Sequence, residues 1–212
     1  MSHSNLILNG LERIYDLFVQ ERYFVFNQPS SKNQYRHNYQ FKTDWFSHHA
    51  PAWSEQLKIL TENENLRYLE VGVFEGRSFL WVLDNLLQGA GAEAIGIDIR
   101  LERRLLKNLE LSSDREKVTV VEGHSSFILP ELYGKRFQLI YIDGDHGADE
   151  VYRDAKLCWP LLDRDGILIF DDYQFNDGDK KPQAGIDKFL EEVKGQFEVV
   201  FSDYQLMIKK SS

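Results

Sequence analysis

The sequence predicts an α/β protein in which a doubly wound, mostly parallel β-sheet carries helices on both faces. Two observations lead to this fold class. From about residue 66 onwards, five short apolar runs alternate with amphipathic stretches of helical periodicity, which is the pattern of repeated βα units. Near the end of the chain, two apolar runs are separated by only a few residues and predict an antiparallel hairpin. With 212 residues, of which 42% are apolar, the chain is long enough to bury the core that this sheet needs.

The predicted elements follow one another in a regular order. The apolar runs predict five parallel strands, at residues 67–71, 94–97, 118–121, 137–142 and 166–170. The stretches after them predict five helices, at residues 79–87, 101–111, 127–133, 149–162 and 184–193. The strands of the C-terminal hairpin are predicted at residues 197–201 and 205–208. This hairpin distinguishes the sheet from that of a pure dinucleotide-binding fold.

The first 65 residues are aromatic and irregular, and they are predicted as a helical extension (1–65) of the main domain (66–212). Apolar spacing predicts a helix over residues 6–26, a polar stretch predicts a loop over 27–39, and a second helix is predicted over 50–60. Aromatic side chains of this extension suit a lid over a substrate, packing of the extra helix on the sheet, or a contact between copies of the chain. They are Tyr39, Phe41, Trp45, Phe46 and Trp53.

Charge and composition argue against several classes of function. The net charge of -9 and the pI near 5.2 argue against nucleic acid binding, which needs a positive field. No apolar run approaches the roughly 18 residues that cross a membrane, and the N-terminus does not resemble a signal peptide. Cys158 is the only cysteine, so an internal disulfide is impossible and a reducing, cytoplasmic compartment is expected.

Glycine and acidic residues follow the first two predicted strands, at the sheet edge where ligands bind. The first strand leads into Glu70-Val-Gly72-Val-Phe-Glu-Gly76-Arg-Ser78, whose glycines permit a sharp turn and a close ligand approach. This spacing differs from the Gly-x-Gly-x-x-Gly of dinucleotide sites, and a plain βα turn is the alternative. Asp98 follows the second strand, and it suits either two ribose hydroxyls or the cap of the next helix.

The third strand is followed by Gly123-His124-Ser125, which suits the border of an adenine ring. The alternative is that Ser125 or Ser126 caps the next helix. The remaining histidines outside the strand ends, which include His49, carry no motif and are predicted as surface or local packing residues.

The most specific signal follows the fourth and fifth strands. Asp143-Gly-Asp145-His146 comes after one, and Asp171-Asp172-Tyr comes after the other. Adjacent strands would bring these carboxylates into one cleft, where they repel each other and raise their own pKa values. A divalent cation removes this repulsion, and oxygen ligands favour Mg²⁺ or Ca²⁺. The alternative is that each Asp caps a helix or a turn.

Together, these motifs resemble those of class I S-adenosylmethionine (SAM)-dependent methyltransferases, over about residues 66–209. The two acidic motifs look like those of the bacterial small-molecule O-methyltransferases, such as the macrolide-sugar and cephalosporin-pathway enzymes. The resemblance implies a Rossmann-like, seven-stranded sheet with the reversed terminal strand of that fold. It also implies a set of SAM-binding residues, namely Glu70, Gly72, Gly76, Ser78, Asp98, Gly123, His124, Ser125 and Asp143.

The same resemblance implies a Mg²⁺ site made of Asp143, Asp171 and Asp172, with Asp143 and His146 as the catalytic residues. In the implied reaction, Mg²⁺ lowers the pKa of a hydroxyl on a small-molecule acceptor. His146, as general base with an ordinary pKa of about 6.5, takes the proton near neutral pH.

Several alternatives stay open at this stage. The chain is also compatible with a metal-independent methyltransferase, with a non-catalytic SAM-binding or partner-binding protein, and less well with a nicotinamide-dependent oxidoreductase. Nucleic acid and membranes are not expected as partners, whereas a homo-oligomer is compatible with the sequence. The acceptor itself is not predicted, because loops grafted onto a common fold determine it.

Overall fold

The computed structural model describes residues 23–25, 38–178 and 180–211, which form one mixed sheet with helices on both faces. The strands are β1 (Tyr23–Val25), β2 (Arg67–Val71), β3 (Glu93–Asp98), β4 (Val118–Glu122), β5 (Phe137–Ile142), β6 (Leu162–Phe170), β7 (Phe197–Ser202) and β8 (Leu206–Lys210). The α-helices are α1 (Ala50–Gln56), α2 (Arg77–Asn85), α3 (Arg103–Leu111), α4 (Ser125–Glu131), α5 (Ala148–Cys158) and α6 (Pro182–Glu192). Short 3-10 helices lie at Lys58–Leu60 and Arg115–Lys117.

The strand order of the sheet is β1-β4-β3-β2-β5-β6-β8-β7. The five strands from β4 to β6 pair in parallel, and β8 pairs antiparallel with both β6 and β7. The predicted seven-stranded, mostly parallel sheet with a terminal hairpin is therefore confirmed, and β1 adds an eighth strand at one edge. The order reverses between β2 and β5, which is where open parallel sheets leave a crevice for ligands.

The apolar runs form the central strands because helices cover them on both sides. One core cluster lies between the sheet and α1 to α3, and it includes Trp53, Phe79 and Leu105. The other lies between the sheet and α4 to α6, and it includes Val151 and Phe189. Since Trp53 belongs to the first cluster, the part of the N-terminal extension that follows residue 38 packs directly on the main sheet.

The helix predicted over residues 6–26 is wrong at its C-terminal end. Tyr23–Val25 forms β1, which pairs antiparallel with β4 and places Phe24 opposite Val120. A tertiary contact overrides the helical spacing here, because the exposed edge of β4 offers unpaired backbone groups and Tyr, Phe and Val favour strands. Residues 6–22 and most of the loop predicted over 27–39 lie outside the described residues.

The other boundaries differ from the predicted ones by a few residues. The helix predicted over 50–60 is α1 followed by the 3-10 turn Lys58–Leu60, with Pro51 in its first turn. Strand β6 begins at Leu162, four residues earlier than predicted, because a register shift against β5 lets the chain pair on both sides of an irregular stretch. Within the described residues, no helix has both the length and the apolar character of a membrane span.

Candidate active site

A cavity of about 740 Å³ opens at the carboxyl ends of the parallel strands. The loops that follow β2 to β6 line it, together with residues from 43–48 and Tyr204, which lies just before β8. Its volume is in the range of small-molecule sites. The predicted site residues in its wall are Gly72, Ser78, Asp98, Gly123, His124, Ser125, Asp143, His146, Asp171 and Asp172. The two others, Glu70 and Gly76, are buried behind that wall.

The turn after β2 requires glycine at two positions. Gly72 has φ +90°, and a Cβ there would lie 1.9 Å from the carbonyl oxygen of Asp143. Gly76 has φ +83° and is the N-cap of α2, and a Cβ there would lie 2.5 Å from Leu105 Cδ1. Both residues adopt left-handed backbone conformations, which glycine accepts without strain. The turn therefore lies directly against the loop after β5 and leaves its backbone at the cavity wall.

Glu70 lies under this turn and does not face the cavity. The hydroxyls of Tyr68 and Ser78 both donate hydrogen bonds to its carboxylate, the latter over 2.6 Å. Burial raises the pKa of Glu70 to about 8, although both hydrogen bonds favour its ionised form. Because β2 carries Glu70 and α2 carries Ser78, their hydrogen bond fixes the start of the helix relative to the strand.

Asp98 ends β3 and points its carboxylate at the glycine turn. Its Oδ2 accepts a hydrogen bond from Phe74 N over 2.8 Å, and its Oδ1 accepts one from Arg100 N over 3.1 Å. It does not cap α3, because that helix begins at Arg103 with Glu102 as its N-cap. The carboxylate is thus held in place by backbone donors at the edge of the cavity.

The segment after β4 contains a cap that the sequence did not predict. His124, rather than Ser125 or Ser126, is the N-cap of α4, and its Nδ1 accepts a hydrogen bond from Ser126 N over 3.3 Å. Ser125 Oγ instead donates to Asp154 Oδ1 on α5 over 2.6 Å. Asp154 lines the cavity, and burial raises its pKa. The wall after β4 is therefore tied to α5 by a buried carboxylate.

Asp143, His146 and Asp172 come together between the ends of β5 and β6. Among the described residues they form a group whose potential ligand atoms all lie within 4.8 Å of one another. His146 Nε2 lies 2.8 Å from Asp172 Oδ2, and this hydrogen bond raises the pKa of His146. Asp171 lies outside the group, and its Oδ1 accepts a hydrogen bond from Gln205 Nε2 over 2.7 Å. We call these four predicted residues the acidic cluster.

Two carboxylates of the acidic cluster have opposite pKa shifts. Burial, and then the negative charge of Asp171, raises the pKa of Asp143 well above its usual value. Burial also acts to raise the pKa of Asp172, but hydrogen bonds from His146 and from Tyr204, the latter over 2.5 Å, outweigh it and the pKa is lowered. Asp172 also has φ +55°, a left-handed conformation that is uncommon outside glycine and that often marks functional sites.

Residues 42–47, which we call the strap, contact the glycine turn from the N-terminal side. Glu75 Oε2 accepts hydrogen bonds from Lys42 N over 2.7 Å and from Thr43 N over 3.2 Å. Its Oε1 pairs with Arg104 Nε over 3.0 Å. A single buried carboxylate from the turn after β2 thus joins the strap to helix α3.

The strap presents an aromatic surface at the mouth of the cavity. The ring of Trp45 is stacked on that of Phe74, with 5.3 Å between centroids and 16° between planes. Trp45 is 69% exposed, and both side chains line the cavity. Arg77 of α2 pairs with Asp44 over 3.3 Å and so fixes the strap beside this aromatic pair.

The stretch of the chain that forms this site matches a known protein family. Residues 69–173 match the family described as a methyltransferase domain. The matched stretch runs from β2 to the residues just after β6, so it contains the glycine turn, Asp98 and the acidic cluster. The chain is a class I SAM-dependent methyltransferase.

One curated relative of this methyltransferase is an uncharacterized protein of Acanthamoeba polyphaga mimivirus. The two sequences are 29% identical in an alignment 129 residues long, and this alignment covers 57% of this chain and 57% of the relative. The methyltransferase therefore spans just over half the length of that protein.

Solved structures share the fold of the methyltransferase. An O-methyltransferase from Bacillus cereus in complex with SAH has a TM-score of 0.61 and 15% identity, covering 97% of this chain and 94% of that one. The O-methyltransferase TomG from Streptomyces achromogenes, in complex with SAM, has a TM-score of 0.60 and 16% identity, covering 77% and 81%. The mycinamycin-pathway methyltransferase MycE, in complex with Mg and SAH, has a TM-score of 0.61 and 15% identity, covering 80% of this chain and 51% of that one.

Polar residues around the acidic cluster of the methyltransferase were missed by sequence reasoning. Tyr141 OH donates to Asp143 Oδ2 over 3.1 Å, although Tyr141 was part of an apolar strand pattern. Tyr204 and Gln205 reach the cluster from the end of the hairpin turn. A signal was available, because β8 runs antiparallel to β6 and the residues just before it must lie at the carboxyl end of β6.

His49 also differs from a surface residue. It is only 7% exposed, and its Nε2 has no hydrogen-bond partner among the described residues. Its ring is stacked on Tyr204, with 5.8 Å between centroids. The interpretation as local packing fits this position, whereas the surface interpretation does not.

Proposed function

We propose that this methyltransferase transfers the methyl group of SAM to a hydroxyl group of a small molecule, with the assistance of Mg²⁺ or another divalent cation. The observation that carries this proposal is the grouping of Asp143, His146 and Asp172 within the cavity that Gly72 and Asp98 also line. Strands β3 and β6 are three positions apart in the sheet, so their ends are separated by about 14 Å. One cavity thus has a cofactor half and a reaction half.

The cofactor half suits SAM for two reasons. Asp98 is held at the end of β3, where its carboxylate can accept hydrogen bonds from the ribose hydroxyls, and Gly72 lets the backbone approach the ligand closely. The charge of the cavity also suits a cationic sulfonium. Among the described residues, nine carboxylate side chains and two arginines line it. Glu70 and Gly76 support this half from behind, Ser78 lines it, and Gly123, His124 and Ser125 would border the adenine.

The acidic cluster fits a divalent cation. Asp143 and Asp172 offer carboxylate oxygens that lie within 4.8 Å of each other and of a nitrogen of His146, and Asp171, adjacent in sequence, would complete the ligand set. Burial, and then the negative charge of Asp171, raises the pKa of Asp143, and a cation bound there would oppose both effects. Oxygen ligands favour Mg²⁺, and a ligand set made of carboxylates leaves His146 available as a base. A bound cation would supply Lewis acidity that lowers the pKa of the acceptor hydroxyl.

His146 is the side chain that we propose as general base. Its hydrogen bond to Asp172 orients the imidazole, and Phe175 packs beside it with 5.0 Å between ring centroids. A positioned base of this kind contributes about 10²- to 10⁴-fold to a rate. We therefore expect that His146→Ala lowers methyl transfer by about this factor and leaves SAM affinity unchanged. Unchanged turnover would remove His146 from the mechanism.

A metal-independent methyltransferase is the second candidate, and the hydrogen bonds of the acidic cluster favour it. Asp172 already pairs with His146 and Tyr204, and Asp171 already accepts from Gln205. In that version these carboxylates would orient the base and the acceptor without a cation. Activity that survives dialysis against EDTA would support the metal-independent reaction.

We further propose that residues 1–65 act in part as a lid, with the strap as the portion at the mouth of the cavity. The stack of Trp45 on Phe74 and its position in the cavity wall support this role. A contact between copies of the chain is the alternative function for the same surface, and sedimentation analysis distinguishes the two.

The direct test of the proposed reaction is a transfer assay with methyl-labelled SAM and a panel of hydroxyl, amine and thiol acceptors. We expect label to appear on hydroxyl acceptors in the presence of Mg²⁺, and EDTA to abolish the reaction. Label on amines or thiols alone would contradict the proposed acceptor class.

A further inference from the structure

A buried hydrogen-bond chain connects the N-terminal extension to the acidic cluster. Gln205 lies between β7 and β8, and its side chain has no exposure to solvent. Its Oε1 accepts a hydrogen bond from the indole Nε1 of Trp53 over 2.7 Å. Its Nε2 donates to Asp171 Oδ1 over 2.7 Å and to the hydroxyl of Tyr141 over 3.3 Å. Tyr141 in turn donates to Asp143 Oδ2 over 3.1 Å.

The donor and acceptor of every hydrogen bond in this series follow from the first one, between Trp53 and Gln205. An indole N–H is a donor only, so it must face the oxygen of the Gln205 amide. The NH₂ group of the amide then has to face Asp171 and Tyr141. Because the Tyr141 hydroxyl receives one of these hydrogens, its own single proton is free to go to Asp143. Trp53 therefore determines which way the amide points, a choice that the shape of a glutamine side chain leaves open.

This direction matters because the acidic cluster brings negative charges close together in a half-buried place. Donors that point at Asp171 and Asp143 fix the orientation of each carboxylate. If the amide turned over, its oxygen would face Asp171 and repel it. In metal sites, groups that orient the ligands typically change metal affinity by about 10- to 100-fold when they are lost.

We propose that Trp53 and Gln205 are positioning residues for the acidic cluster, and that helix α1 thereby contributes to the active site of the enzyme. The proposal rests on the proposed function, since it concerns the same carboxylates. Trp53 and Gln205 do not line the cavity, so they act through Asp171, Tyr141 and Asp143 rather than on the substrate.

The first test compares two Trp→Phe variants in the same core. Trp53→Phe removes the indole N–H and keeps an aromatic ring. Trp81→Phe is the matched control, because Trp81 packs against Trp53 at 5.8 Å between centroids and its indole nitrogen has no hydrogen-bond partner in the described part of the chain. We expect Trp53→Phe to weaken Mn²⁺ binding, measured by electron paramagnetic resonance, about tenfold or more, with SAM affinity within twofold of wild type. Trp81→Phe should change neither affinity.

The second test separates positioning from packing by a double-mutant cycle. Gln205→Met keeps the length of the side chain and removes its hydrogen bonds. We expect it to weaken Mn²⁺ binding as Trp53→Phe does, and the double variant to be little worse than either single one, because both act through one amide. Equal Mn²⁺ affinities in Trp53→Phe and Trp81→Phe, or full additivity in the cycle, would overturn the proposal.

The third test needs no bound metal and uses the indole N–H signals of the four tryptophans in a ¹H–¹⁵N spectrum. We expect Asp171→Asn to shift the Trp53 signal through Gln205, and Asp149→Asn, a change at an exposed position of α5, to leave it in place. An unmoved Trp53 signal in Asp171→Asn would overturn the proposal. A wild-type protein that binds neither SAM nor Mn²⁺ would instead contradict the proposed function, even if the Trp53 signal responds.

Discussion

Gly72 shows how strictly the site depends on single residues. Its left-handed backbone and its contact with the Asp143 carbonyl bring the loop after β2 against the loop after β5. Those two loops belong to the cofactor half and the reaction half of the cavity. A side chain at residue 72 would therefore separate the two loops that, in the proposed reaction, meet across a bound SAM.

We expect Gly72→Ala to lower the free energy of unfolding by several kcal/mol, because it adds a clash to the strain of a positive φ. Gly134→Ala is the matched control, since Gly134 has φ +100° and a Cβ there would meet nothing within 4 Å. Strain alone should cost the control about 1 kcal/mol. Urea denaturation measures both values, and equal costs would show that the approach to Asp143 is unimportant.

We expect the stability of the protein to depend on pH through Glu70. Its folded pKa of about 8 lies above the unfolded value of about 4.3. Between these values the folded state holds a proton that the unfolded state has lost, so raising the pH favours unfolding by up to about 1.4 kcal/mol per pH unit. We expect the free energy of unfolding of wild type to fall from pH 5 to pH 8 relative to that of Glu70→Gln.

The control for this prediction is Glu116→Gln, which changes an exposed glutamate in the same way. Denaturant titrations at pH 5, 6.5 and 8 give the comparison. Parallel pH profiles for wild type and Glu70→Gln would mean that Glu70 is ionised in the folded protein throughout this range.

At the scale of elements, the strap depends on one carboxylate. Glu75 accepts two backbone hydrogen bonds from residues 42 and 43, and hydrogen bonds to a charged group contribute about 1.5–3 kcal/mol. We expect Glu75→Gln to accelerate tryptic cleavage after Lys42 about tenfold, because opening of the strap becomes more frequent. Glu110→Gln, an exposed change on α3, should leave the rate unchanged. The same rate in both variants would contradict this role for Glu75.

The sequence predicted the elements that local pattern determines. Strands β2 to β6 and the terminal hairpin were predicted because their apolar runs and spacings are local signals, and the glycine turn was predicted because its residues are contiguous. Strand β1 was missed because pairing with β4, and not its own periodicity, decides its conformation. Local signals likewise placed Asp143 and Asp172 at neighbouring strand ends.

The sequence did not predict the contacts of the site that join residues far apart along the chain. The hydrogen bond between Trp53 and Gln205 joins residues 152 positions apart, and no spacing rule connects them. Asp171 lies outside the group of Asp143, His146 and Asp172, and its Oδ1 accepts a hydrogen bond from the same Gln205 side chain. Such polar networks are determined by how helices and the hairpin pack on the sheet, which becomes visible only in the folded molecule.

At the scale of the whole molecule, the predicted cofactor residues and the acidic cluster lie mainly on opposite sides of the β2–β5 crevice. The strands on one side end in the glycine turn, Asp98 and Gly123–Ser125, and the strands on the other end in the acidic cluster. The N-terminal segment reaches both halves, through the strap on Glu75 and through Trp53 on Gln205. Both the net charge of the protein and the charge of its cavity are negative, which suits a cationic methyl donor.

The central claim is that SAM binds at the carboxyl ends of the parallel strands, and calorimetric titration with SAM tests it most directly. We predict one SAM bound per chain, and a loss of affinity of about tenfold or more in Asp98→Ala, which removes a charged hydrogen-bond acceptor. Asp149→Ala should bind as wild type does. Absence of binding to the wild-type protein at high micromolar SAM, or equal affinity in Asp98→Ala, would contradict the account.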